Sequence, residues 1–120
     1  MRGKQAATLV SSHFPYIPVK VTFRNREEIV EALLDTGFDG DVILPEGFIE
    51  NGEMADDFNP WRMANGSVIH APTYRGSVQI GKKRIGEVLI TILVHKPLIG
   101  RNVIVNFKVT LDHGKRVIVE

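Results

Sequence analysis

Among the 120 residues, the side chain that stands out for chemistry is Asp35, which closes the apolar run Ala32-Leu33-Leu34 and is followed at once by Thr36 and Gly37. A carboxyl group at the mouth of a buried strand costs free energy unless it is solvated or hydrogen-bonded, so it marks either a solvated turn or a working group. The tripeptide alone is short enough to arise by chance. Its surroundings sharpen it: a hydrophobic pair before it, an acidic and glycine-containing turn at Asp39-Gly40 after it, and Leu98-Ile99-Gly100 further along. The other acidic positions (Asp39, Asp41, Asp56, Asp57 and Asp112) lack that combination of buried strand and Thr-Gly.

Other chemistries find less to use. The chain has no cysteine, which excludes disulfides, thiolate nucleophiles and Cys-ligated zinc. His13, His70, His95 and His113 are scattered without the spacing of a metal site and read as ordinary surface or turn residues, so neither a metal nor an organic cofactor is expected. Lys82-Lys83-Arg84 reads as a solvated hairpin tip, with an anionic partner as the other possibility. Asn65-Gly66-Ser67 matches a glycosylation sequon, for which chance is the better account.

The elements that must position Asp35 are short and β-like. Residues 16–23 alternate, with Ile17, Val19, Val21 and Phe23 on one face, which is the pattern of a half-buried strand. After a polar turn at residues 25–28, residues 29–34 are apolar on both faces except for Glu31 and predict a more buried strand ending at Asp35. Val42-Ile43-Leu44 is a third strand, closed by Pro45 and Gly47. Residues 50–60 are polar and acidic without periodicity and read as a surface loop. Asn65-Gly66 is the strongest hairpin signal in the chain, because both residues tolerate positive φ. Trp61 and Met63 beside it either pack the base of that hairpin or belong to a lid over substrate.

A second hairpin turns at residues 81–83, between strands at residues 77–80 and 84–94, and Pro97-Leu98-Ile99-Gly100 closes the latter. Residues 101–107 predict one or two helical turns, with Val103, Ile104 and Phe107 on one face. A last hairpin joins residues 109–112 and 116–120 through His113-Gly114-Lys115. The sum is seven or eight short strands and one short helix, hence a small all-β domain, closed or folded over.

Composition bounds the setting. A chain of this length buries roughly two-thirds of its unfolded surface, enough for one core, so residues 15–120 are expected to form one domain preceded by an extension over residues 1–14. Fifteen Lys and Arg against 14 Asp and Glu leave a formal charge of +1, without the basic excess of a phosphate-neutralising protein, so nucleic acid is not an expected partner. No apolar run approaches the ~18 residues of a membrane span, and a soluble cytoplasmic protein is the simplest expectation.

Two segments together carry a family likeness. Glu31-Ala32-Leu33-Leu34-Asp35-Thr36-Gly37-Phe38-Asp39-Gly40 resembles the active-site segment of retropepsin-type aspartic proteases. Leu98-Ile99-Gly100-Arg101-Asn102 resembles the hydrophobic-hydrophobic-Gly-Arg-Asn/Asp segment before their single helix. The likeness runs in order from about residue 16 to residue 112, with Asn65-Gly66 where that family keeps its flap. It is nearest to the small bacterial members, in which an aromatic residue commonly follows the glycine, as Phe38 does here.

The resemblance implies a retropepsin-like closed β-barrel with one short C-terminal helix, assembled as a homodimer, and an aspartic endopeptidase acting on peptide or protein substrates. Such hydrolysis needs two carboxylates sharing a proton, one activating water and the other polarising the scissile carbonyl. With one Asp-Thr-Gly per chain, the second carboxylate would be Asp35 of another copy across a twofold axis. On this likeness Asp35, Thr36 and Gly37 are catalytic, with the Thr36 hydroxyl bonding across the axis and Gly37 letting the backbone turn tightly and aim N–H groups at the carboxylates. Phe38, Asp39, Asn65, Gly66 and Ser67 contact substrate. Leu98, Ile99, Gly100 and Arg101 support the site, with Arg101 paired to Asp39. The alternative is a dimeric peptide-binding barrel without catalysis, against which the intact Asp35-Thr36-Gly37 argues.

Overall fold

The computed structural model describes residues 8–93 and 96–120. Expectations for His95, for the strand end at Val94 and for the first seven residues lie outside these. In chain order the elements are β1 (Leu9–Ser11), β2 (Tyr16–Phe23), β3 (Arg26–Leu34), β4 (Val42–Leu44), a 3-10 turn at Glu46–Phe48, β5 (Asp57–Arg62), β6 (Val68–Ile80), β7 (Lys83–Ile92), β8 (Leu98–Ile99), α1 (Arg101–Ile104), β9 (Val109–Asp112) and β10 (Arg116–Val119). The described residues are thus all-β with one short helix, and the strands number ten rather than seven or eight.

Seven strands form one sheet in the order β2-β3-β8-β4-β7-β6-β5, and β6 pairs onward with β2 through Lys20, Val21 and Thr22. The other three form a separate sheet, β1-β10-β9, in which Leu9–Ser11 pair antiparallel with residues 117–119. The core lies on the inner face of the larger sheet. It gathers Ile17, Val19 and Val21 from β2, Val30 and Ala32 from β3, Val42 and Leu44 from β4, Tyr74 and Val78 from β6, and Ile90 from β7, with Ile99 and Val103. Each large aliphatic side chain so buried stabilises the fold by about 1.5–3 kcal/mol.

The strict alternation of β2 is borne out, every second residue being buried. The turn after it is tighter than expected: only Arg24 and Asn25 leave the ladder, both at positive φ, as a two-residue hairpin requires. Arg26, Glu27 and Glu28 already belong to β3. Ile29 is not buried but 73% exposed, because the pleat turns it to the face opposite Val30 and Ala32.

The loop expected over residues 50–60 is also corrected. Asp57–Arg62 form β5, which pairs along its whole length with residues 68–73 of β6. Both faces of β5 are largely solvated, so its side chains carry no periodic signal and its main-chain bonds to β6 define it. β6 is one continuous strand of 13 residues, of which only the last four were legible as such. It passes so close to β2 that a Cβ on Gly76 would stand 2.3 Å from the Thr22 carbonyl oxygen.

Candidate active site

Leu33 and Leu34 of β3 pair in parallel with Leu98 and Ile99 of β8, and β8 pairs on its other side, antiparallel, with Val42 and Ile43 of β4. The two-residue β8, expected only as the close of the preceding strand, therefore separates the strand that ends in Asp35 from the strand that follows the Asp35 loop. The ladder continues one residue past β3, since the Asp35 N–H donates to the Ile99 carbonyl at 3.0 Å. Asp35 is held half-buried at the sheet end. Its Oδ1 accepts the Gly37 N–H at 2.9 Å, and its carbonyl accepts the Phe38 N–H at 3.2 Å, closing a tight turn in which Thr36 and Gly37 are exposed.

The loop after this turn wraps around Gly100. The Phe38 carbonyl accepts the Arg101 N–H at 2.9 Å, the Gly40 carbonyl accepts the Asn102 N–H at 3.1 Å, and the Asp41 carbonyl accepts the Gly100 N–H at 2.9 Å. A Cβ on Gly100 would lie 2.3 Å from the Gly40 oxygen and 2.6 Å from Phe38 Cδ2, so only glycine admits this approach. Ile99, Gly100, Arg101 and Asn102 thus hold Asp35 and its loop through main-chain bonds on four successive residues. The helix that follows is a single turn, shorter than the longest reading of residues 101–107.

Arg101 does reach Asp39, Nη2 to Oδ1 at 3.3 Å, with the two side chains 51% and 78% exposed. Phe38 turns toward the β5–β6 hairpin and meets Trp61 ring to ring at 5.4 Å. Trp61 therefore packs the hairpin against the Asp35 loop.

Asn65, Gly66 and Ser67 form the exposed tip of that hairpin. Gly66 sits at φ +90, Asn65 Oδ1 accepts both the Ser67 N–H at 2.9 Å and the Ser67 hydroxyl at 2.7 Å, and the Met63 N–H donates to the Ser67 carbonyl at 2.7 Å. These bonds are local to the turn, and the hairpin's contact with the Asp35 loop is made further down, by Trp61.

Each of the five other aspartates has a partner of its own. Asp39 meets Arg101, Asp41 accepts from Leu89 and Asn102, and Asp56 accepts from Arg24 and from the Arg75 N–H. Asp57 bonds the Phe58 N–H, and Asp112 pairs with His113 and Arg116. Asp41 and Asn102 are the residues here whose roles were not read from sequence. The available signal was an acid immediately before a buried strand, Val42–Leu44, where a strand start offers free N–H groups to a side chain. No cluster of His, Asp and Glu able to hold a metal ion is found among the described residues.

The comparisons with known proteins follow the same line. No family model matches the chain, and no curated protein does either. Among solved structures, a retropepsin-like aspartic protease from Rickettsia conorii superposes with a TM-score of 0.65 at 17% identity, over 98% of this chain and 96% of that one. The fold is retropepsin-like. Main-chain bonds join the Asp35 loop to the loop around Gly100, and the Phe38–Trp61 contact joins it to the β5–β6 hairpin, so this end of the larger sheet is the candidate active site.

Proposed function

We propose that the protein is an aspartic endopeptidase whose site is completed by a second copy of the chain. The observation that carries this is the setting of Asp35. It is a half-buried carboxylate at the end of β3, tied through its own N–H to Ile99 and through Oδ1 to the Gly37 N–H, in a retropepsin-like fold. Two such carboxylates facing each other would share one proton, the ionised member drawing a proton from water as that water attacks the peptide carbonyl while the protonated member donates to the carbonyl oxygen. The gem-diol then collapses as a proton passes to the leaving nitrogen, so neither a covalent intermediate nor a cofactor enters.

With each of the chain's other aspartates holding a partner of its own, the second carboxylate is Asp35 of a second copy on a twofold axis. The return pairing of β6 with β2 supports reading the larger sheet as a closed barrel, and the pairing of Leu9–Ser11 with residues 117–119 makes this part of the expected N-terminal extension a strand of the same domain as residues 15–120. In this reading Thr36 bonds its counterpart across the axis. Phe38 and Asp39 line the cleft, and Asn65, Gly66 and Ser67 tip a flap over bound peptide. Phe38 supports a place near the small bacterial members of the family.

The purified protein is incubated with an unstructured protein substrate, with and without a statine-type peptide that mimics the tetrahedral intermediate. Hydrolysis that the mimic abolishes and that Asp35→Asn lacks is the expected result. Peptide binding with no hydrolysis by the wild-type chain would overturn the catalytic reading in favour of a silent peptide-binding barrel.

A further inference from the structure

From the hydrogen bonds of Asp41, we infer that this residue is a positioning residue for Asp35, a clasp that sets the catalytic loop between β7 and the start of α1. The inference rests on the peptidase reading for its catalytic consequence and on geometry alone for the clasp. The loop over residues 35–41 leaves β3 and must re-enter the sheet as β4, which lies between β7 on one side and β8 on the other. At the point of re-entry the Asp41 carbonyl is turned toward β8 and accepts the Gly100 N–H at 2.9 Å. The Leu89 N–H of β7 meets the Asp41 side chain instead, donating to Oδ2 at 2.8 Å. The remaining oxygen, Oδ1, accepts Asn102 Nδ2 at 2.9 Å.

One residue thus ties the end of the loop to three neighbours on two separate stretches of chain, Leu89 of β7 and Gly100 and Asn102 at the start of α1. A carboxylate suits the position, since both side-chain bonds need an acceptor. The loop's other main-chain anchors, Asp35 on Ile99, Phe38 on Arg101 and Gly40 on Asn102, all join it to one stretch of chain, residues 99–102. The bond to Leu89 references the loop to β7, a long strand of the barrel wall. Losing that reference loosens the loop where it enters β4, carrying Asp35 off the distance it needs to share a proton with its mate. A displacement of about 1 Å at reacting groups costs up to about a hundredfold in rate.

The test uses Asp41→Ala, Asn102→Asp, and the double variant Asp41→Asn with Asn102→Asp. Asn102→Asp places a second carboxylate against Asp41 Oδ1 in place of a donor. In the double variant the new amide accepts from Leu89 and donates to the new carboxylate, so both side-chain bonds return. Amide hydrogen exchange at Leu89 and Gly37 reads the clasp directly, the latter because its N–H rests on Asp35 Oδ1. Peptide turnover reads the consequence.

The expected pattern is faster exchange at both amides and a tenfold to hundredfold lower kcat, with KM nearly unchanged, in Asp41→Ala and in Asn102→Asp. Both readouts should return toward wild type in the double variant. A double variant that folds where Asn102→Asp does not is the same restoration. Wild-type exchange in Asp41→Ala, or a double variant as impaired as Asn102→Asp, overturns the inference. Wild-type protein without any peptidase activity refutes the peptidase reading, and the exchange measurements then decide whether the clasp exists.

Discussion

A carboxylate that accepts the N–H of the glycine two residues ahead is held in one orientation, and Gly37 holds Asp35 in this way. Replacing Asp35 by Asn keeps the volume and an acceptor for Gly37 but removes the charge and the shared proton. Activity should therefore fall by at least about 10²–10⁴-fold while the circular dichroism spectrum and oligomeric state stay as in wild type. Cleavage by purified Asp35→Asn at near wild-type rate would end the aspartic assignment. Arg101 shows how a correct residue-level reading can carry little energy. The pair with Asp39 forms, yet both ends are at least half exposed, and such pairs contribute about 0–1 kcal/mol. Arg101→Ala should shift the urea midpoint of the isolated chain very little, and a loss of several kcal/mol would show that Arg101 does more than meet Asp39. Asp35, Thr36 and Gly37 were legible because a carboxylate after three apolar residues breaks a pattern. Asp41 was not, because its partners are a main-chain N–H far along the chain and an amide whose rotamer depends on the fold.

At the scale of elements, the β5–β6 hairpin turns on Gly66 at φ +90, a region that costs a β-branched residue heavily. Gly66→Val is expected to lower turnover severalfold with a modest drop in thermal midpoint, and binding of a statine-type inhibitor should protect the wild-type amides of residues 61–70 from exchange. An inhibitor complex with no protection there would remove the flap from the mechanism. The loop leading into β5 is fixed differently. Arg26 bonds Glu50 and Glu53, and Arg24 bonds Glu53 and Asp56, so the β2–β3 hairpin grips that loop through five charged side chains.

The Arg26 guanidinium, above all, holds the Glu53 carboxyl below its ordinary range, and the Arg75 N–H followed by Arg24 does the same for Asp56. Both acids are therefore more acidic folded than unfolded. Their stabilising effect is present above the unfolded values of about 4 and fades as pH falls through the lower folded ones. Urea midpoints measured from pH 5 down to pH 2 should drop, and the drop should shrink in Arg26→Gln. An unchanged pH dependence in that variant would show the cluster to be ornamental. The sequence announced β2 and the Asn65-Gly66 turn through alternation and positive φ. It was silent on β5, because a solvated strand has no apolar period, and on β8, because a two-residue strand is defined only by its neighbours.

At the scale of the molecule, each chain supplies half of the proposed catalytic pair. Activity per chain should fall steeply on dilution, in parallel with the dimer fraction seen by sedimentation, and a fully active monomer would overturn the shared site. One feature of the site lets this be watched without labels. Trp61 is the only tryptophan in the sequence, and it sits half-buried on the hairpin with its ring against Phe38 of the Asp35 loop. Its ultraviolet emission comes from the seam between the hairpin and that loop. Peptide capture, dimer formation and hairpin opening should each change how water quenches one indole per chain, so the protein carries its own optical gauge of whether the cleft is shut.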